Sequence, residues 1–198
     1  EFVQANGVRL HVATAGPRDG RPMITHLQLV APGDILRFKE LGVTALPQPY
    51  WFAKDSYYHN LQVPYLGQAR ADAEYPMKSF FEAGVLVASG SDYPVTIPCN
   101  PLVAVQMGIT RREPGKTSAE DALWPEESVS LGQMIRSFTI NGAIANFLES
   151  ETGSIEAGKC VVTLTDLGDD NDVSIDGFFI ASESFVINST ELALNGIA

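Results

Sequence analysis

The chain has 198 residues, 45% of them apolar, enough for one good core, and its glycine and proline counts are too ordinary for a low-complexity chain. A net charge of −11 excludes nucleic acid and anionic membrane as natural partners, because both would repel it. No apolar run reaches membrane length and the first residues lack a signal peptide's basic and apolar regions, so the expectation is a cytoplasmic chain acting on a small molecule.

In chain order, residues 3–15 read as a hairpin. Val3-Gln4-Ala5 leads into Asn6-Gly7, a strong two-residue turn signal, and Val8 to Ala13 then alternates. His11 falls on the polar phase with Arg9 and is expected at the surface. Ile24–Val30 reads as a strand carrying His26, and Asp34 is placed to cap a helix over Ile35–Leu41 that closes at Gly42. Val43–Leu46 is the next short strand, and residues 54–76 form a polar-aromatic segment around Arg70. A helix over Met77–Ala83 ends at Gly84 and hands over to Val85–Ser91. Val85-Leu86-Val87-Ala88 does not alternate, as expected of a strand buried on both faces of a parallel sheet. Gly90 allows a close approach there, and Asp92 lands at the strand's C-terminal tip, where barrels of alternating strand and helix keep their active sites.

Pro101 opens a helix through Ile109, and Ser130-Leu131-Gly132-Gln133 forms a capping box before the apolar face of Met134, Ile135 and Phe138. Cys99 and Cys160 lie far apart and read as free thiols of a reducing compartment. Near the end, Val173-Ser174-Ile175, Asp176-Gly177 and Phe178-Phe179-Ile180 read as a second hairpin. Asp172, Ser174, Asp176, Gly177 and Glu183 also match a calcium-loop spacing, but their flanks do not read as helices, so the hairpin is favoured. Strands alternating with helices make the fold class α/β.

Two resemblances follow from these stretches. Ala5-Asn6-Gly7-Val8-Arg9-Leu10-His11 through Gly20-Arg21-Pro22 resembles the first strands of α/β-hydrolases, without that family's oxyanion turn or nucleophile elbow. His26-Leu27-Gln28, Gln48-Pro49, Leu66-Gly67 with Arg70-Ala71, Gly90-Ser91-Asp92-Tyr93-Pro94, Thr139 with Asn141-Gly142-Ala143, and Gly153 to Lys159 occur in that order. Together they resemble the C-terminal part of metal-dependent amidohydrolases, in the branch that includes N-substituted formamide deformylases.

The second resemblance implies a partial, truncated TIM-barrel-like parallel sheet with flanking helices over residues 24–159. Residues 1–23 would add a β-hairpin segment and residues 160–198 a β-rich tail. It also implies that His26 binds a divalent metal, zinc by preference, and that Asp92 touches the metal and shuttles a proton. Arg70 would make a structural salt bridge. Thr25 and Trp51 depart from the family pattern, which often has glutamate and histidine in those places. The donor set is incomplete, since the family's first-strand histidine pair has no match and neither His11 nor His59 has a fitting context.

A succession of unlike segments is what a fusion of gene fragments would give, with Glu1-Phe2 resembling a cloning scar. Open sheet edges would favour a homo-oligomer. The expected function is hydrolysis of amide, or else ester, bonds in small molecules through His26 and Asp92 around a metal. Two alternatives stand beside it: a serine esterase with Ser89 or Ser91 as nucleophile and His26 as base, and a folded segment without catalysis.

Overall fold

The structure is a computed structural model that describes residues 2–5, 7–11, 20–97 and 99–159, together with four two-residue strands between 161 and 179. It opens with the expected hairpin. β1 (Phe2–Ala5) and β2 (Val8–His11) pair antiparallel, Ala5 opposite Val8, and Gly7 before β2 takes φ +79°. His11 is exposed and lies against Phe2, ring centroids 5.0 Å apart.

A strand–helix–strand unit follows. β3 (Met23–His26) runs parallel to β4 (Thr44–Pro47), joined by α1 (Pro32–Glu40). β3 stops at His26 rather than reaching Val30. There the chain leaves the extended region, His26 at φ 69° and Leu27 at φ 57°. The helix begins at Pro32, ahead of the expected start, because proline fits the first helical turn; Asp34 makes no cap and instead pairs with Arg37 at 2.7 Å. On the other side of β4, residues 85–90 run parallel to it. Ala45 N–H donates to the Leu86 carbonyl, Ala88 N–H to the Ala45 carbonyl, and Gly90 N–H to the Pro47 carbonyl, although only Ala45 and Val87 form a regular bridge. The expected strand is therefore present as an irregular extended segment, and the fold is α/β with a small parallel sheet.

Between β4 and the helix expected over Met77–Ala83, the chain is helical where the sequence shows no clear period. A 3-10 turn (Pro49–Trp51) is followed by a π-helical turn (Tyr58–Gln62), α2 (Val63–Leu66), α3 (Gln68–Ala71) and α4 (Met77–Glu82). The widened turn ends two residues before Pro64, which cannot donate an i−4 hydrogen bond. Arg70 is exposed and has no ion-pair partner among the described residues, so the salt bridge expected of it is not formed. The buried arginine is Arg111. It follows α5 (Pro101–Thr110), is fully buried, and donates to the carbonyls of Leu123 (2.8 Å), Glu74 (2.9 Å) and Tyr75 (3.1 Å). Its guanidinium also lies 4.3 Å from the centroid of the Phe52 ring.

α6 (Leu131–Phe138) starts at the expected capping box, with the Ser130 and Gln133 side chains reciprocating each other's backbone N–H, and α7 (Ile140–Ala145) follows directly. Both brace the sheet: Asn141 donates to the Val87 carbonyl at 2.9 Å, and Ser89 N–H donates to the Ser137 carbonyl. The core lies between these helices and the sheet, around Ala45, Phe52, Met77, Phe80, Val87, Leu123 and Met134. Each large side chain there contributes roughly 2–3 kcal/mol by leaving water. Arg21 ties the approach to β3 onto the end of α7, pairing with Glu149 at 2.7 Å, donating to the Ile144 carbonyl and lying over the Phe147 ring.

In the tail, β5 (Val161–Val162) pairs with β8 (Phe178–Phe179) and β6 (Thr165–Asp166) with β7 (Val173–Ser174). The expected hairpin is thus corrected. Residues 173–174 and 178–179 pair with upstream strands instead of with each other among the described residues. Asp172, Asp176, Gly177 and Glu183 of the calcium-loop reading lie outside the described residues, as does Cys160; Cys99 is exposed.

Candidate functional site

Both expected site residues end strands on the same rim of the sheet. His26 is level with Pro47 of β4, and Gly90 on the other flank donates to the Pro47 carbonyl at 3.1 Å, so Asp92 follows two residues past that level. β4 separates them: His26 and Asp92 sit on the two outer segments, not on adjacent ones, and no hydrogen bond joins their side chains. Both adopt the left-handed backbone region, His26 at φ 69° and Asp92 at φ 58°, which non-glycine residues seldom enter. Asp92 opens a turn whose Val95 N–H donates to its carbonyl at 2.7 Å. Its carboxylate has no hydrogen-bond or ion-pair partner among the described residues.

His26 is held on two sides. Its Nδ1 lies 3.1 Å from Gln48 Oε1, and its ring stacks on Trp51 with centroids 5.4 Å apart at 16°. Gln48 is 1% exposed and sits between Pro47 and Pro49, where a residue preceding proline is confined to extended backbone (φ −111°, ψ 91°). Its Nε2 donates to Thr25 Oγ1 at 2.9 Å and to the Leu46 carbonyl at 3.2 Å. The Gln48-Pro49 step stands out in the sequence, but its grip on His26 does not, because it depends on how two strand ends meet. Gly90 comes close to this group without being forced to be glycine. A Cβ there would meet Leu46 Cδ2 at 3.5 Å and Gln48 Nε2 at 3.8 Å, both ordinary contacts.

The serine alternatives are engaged elsewhere. Ser89 Oγ shares a hydrogen bond with Ser137 Oγ at 2.8 Å, and Ser91 Oγ accepts from Tyr93 N–H at 3.2 Å. Neither hydroxyl is bonded to His26, whose Nδ1 is taken by Gln48. His59 is exposed in the π-helical turn, edge-on to Tyr58, as expected of a surface histidine.

Glu74 is a charged group that sequence reasoning missed. It is fully buried beside the strand-end loop; Gln28 donates to its Oε1 at 2.9 Å, while its Oε2 has no partner among the described residues. Burial pushes its carboxyl up to about 7, with the charge of Asp55 acting in the same direction and the Gln28 hydrogen bond against it. No sequence signal marks it, since its neighbours Ala73 and Tyr75 could as well belong to a surface turn.

His26 and Asp92 are both suited to a divalent cation, one through a ring nitrogen and the other through an unpaired carboxylate. They are two donors. Among the described residues, no three His, Cys, Asp or Glu side chains gather closely enough to hold a metal ion. A groove of about 450 Å³, lined by Ile24, Thr25, Leu27, Gln28, Phe38 and Val43, lies between β3 and α1, and neither His26 nor Asp92 lines it.

Residues 4–160 match the amidohydrolase family. Protein LONG AFTER FAR-RED 3 of Arabidopsis thaliana is 35% identical over 149 residues, which cover 74% of this chain and 24% of that protein. An N-substituted formamide deformylase of Arthrobacter pascens is 38% identical over 85 residues, 43% of this chain and 15% of that one. Among solved structures, an uncharacterized metal-dependent hydrolase from Pyrococcus horikoshii OT3 aligns over 70% of this chain and 27% of its own, with TM-score 0.57 and 22% identity. That likeness is one of fold. The chain therefore spans between 15% and 24% of the length of the two curated relatives. Among the described residues, no helix is long and apolar enough to cross a membrane.

Proposed function

The chain belongs to the amidohydrolase family, and from that premise we propose that it carries part of a metal-dependent hydrolase site at the rim shared by His26 and Asp92. The observation that carries this reading is that His26, the last paired residue of β3, is level with Pro47, and that Asp92 follows two residues after Gly90, which donates to the Pro47 carbonyl. The small sheet is then a segment of a TIM-like barrel, three consecutive parallel strands with their helices.

In this reading His26 is a ligand and Asp92 the residue that takes and returns a proton, its carboxylate being unengaged among the described residues. A divalent cation, zinc by preference, would supply Lewis acidity and acidify a bound water. Two donors are fewer than the three protein ligands a hydrolytic zinc site uses, so a complete centre at this rim draws further ligands from outside the described residues. The substrate would be a small molecule cleaved at a C–N bond of the amide type. Self-association through the open edge of β3 would cover apolar side chains such as Met23 and Ile24, both about half exposed.

The test is hydrolysis of a panel of small formamides and amides by the purified chain, before and after chelation and again after adding zinc. Activity that disappears with chelator, returns with zinc and is absent from Asp92→Asn supports the reading. Activity indifferent to chelator, or zinc binding that His26 and Asp92 take no part in, overturns it.

A further inference from the structure

We infer that Gln48 is a positioning residue that holds His26 in a single tautomer, with the proton on Nδ1 and the lone pair on Nε2. The consequence for a cation rests on the metal-site reading above; the tautomer itself does not.

The inference follows from what each atom can do. The Leu46 carbonyl oxygen can only accept a hydrogen bond, so the Gln48 side-chain atom 3.2 Å from it must be the amide nitrogen. The reversed amide would set two oxygens against each other. The same nitrogen donates to Thr25 Oγ1 at 2.9 Å. Oε1 is thereby turned toward His26 Nδ1, 3.1 Å away. An amide oxygen accepts only, so Nδ1 must be the donor, and a neutral imidazole then has its lone pair on Nε2. Nε2 has no partner among the described residues.

Rigidity makes the choice persistent. Gln48 is buried between two prolines that fix its backbone, and it bonds to residues 25 and 26 together, so it grips the end of β3 as well as the ring. Trp51 stacks on the ring face and is itself anchored, its Nε1 donating to Thr96 Oγ1 at 3.2 Å. Histidine ligands commonly have their second nitrogen held by such an acceptor, which sets the tautomer and the ring direction. A histidine free in water favours the opposite tautomer, with the proton on Nε2, so the two cases are distinguishable.

The test is a long-range proton–nitrogen correlation spectrum of the full chain with nitrogen-15-labelled histidine, at a pH where the imidazoles are neutral. Signals are assigned with His11→Gln and His59→Gln. The expected result is an Nδ1–H pattern for His26 alone, lost to a majority of Nε2–H in Gln48→Leu. Gln48→Met, of the same length, replaces the leucine variant should that one fail to fold. An Nε2–H pattern for His26 in the parent chain, or the same tautomer after loss of the acceptor, overturns the inference. An intact Nδ1–H pattern with no response of His26 to added zinc would instead sink the metal-site reading and leave the role of Gln48 standing.

Discussion

His26 and Asp92 close the two outer segments of one parallel sheet at the same rim, both in the left-handed backbone region. For a residue with a Cβ that conformation costs about 1–2 kcal/mol, somewhat less for aspartate. The cost is tolerated where the surroundings dictate the geometry, and at Asp92 no described hydrogen bond or ion pair of the side chain repays it. Asp92→Gly is therefore expected to leave stability unchanged, or to raise it by up to about 1 kcal/mol, while abolishing hydrolysis. Urea unfolding measures the first and an amide assay the second. A loss of stability well above ~1 kcal/mol would mean that the carboxylate is structural.

Glu74 makes stability depend on pH. Its folded carboxyl is raised from the usual 4.5 to about 7, first by burial, so the folded chain binds more protons than the unfolded one between those values. The contribution is fully present below the unfolded value and is lost as pH rises through about 7. Glu74→Gln keeps an acceptor for Gln28 and removes the charge. The variant should match the parent at pH 5 and exceed it by roughly 1–3 kcal/mol at pH 8. Parallel stability profiles across that range would show that Glu74 stays ionised without cost.

Arg111 satisfies three buried carbonyls and covers the Phe52 ring. Burial lowers its pKa to about 9, with Glu127 opposing the shift, so it remains a cation at neutral pH. Arg111→Met keeps much of the volume and leaves the carbonyls of Glu74, Tyr75 and Leu123 without a donor, a loss expected at roughly 3–5 kcal/mol. Arg70→Met, on the surface, should change stability by less than about 0.5 kcal/mol. Equal effects of the two would contradict the assignment of the buried role to Arg111.

Gly153 holds the turn after α7 against that helix. Its φ is +90°, and a Cβ there would meet the Ala143 Cβ at 2.7 Å and the Ile140 Cα at 2.9 Å. Gly153→Ala combines backbone strain with overlap against parts that cannot swing away, and roughly 2–4 kcal/mol of destabilisation is expected. Gly90→Ala, with only ordinary contacts, is the control and should lose less than about 1 kcal/mol in thermal unfolding.

Local signals carried much of the fold. The glycine of the first hairpin, Gly7, the proline that opens α5 and the Ser130–Gln133 capping box each act within one turn of chain, and each appears where the sequence placed it. What failed depended on partners distant in sequence. Val85–Ser91 is irregular beside β4, and the strands near the tail pair with 161–166 rather than with each other. The candidate residues His26 and Asp92 were legible from their family motifs, and their common rim bears on that reading. Gln48, Glu74 and Arg111 gain their roles only once three or four separate segments have packed, so no local pattern announces them.

The most direct measurement is a titration of the nitrogen-15-histidine-labelled chain with zinc, following His26 Nε2 in the parent and in Asp92→Ala. A shared site at the rim should shift or broaden the His26 signal and leave His11 and His59 unmoved, with at least tenfold more zinc needed in Asp92→Ala. A His26 signal that ignores zinc, or responds equally with and without the carboxylate, would contradict a metal site built on these two residues.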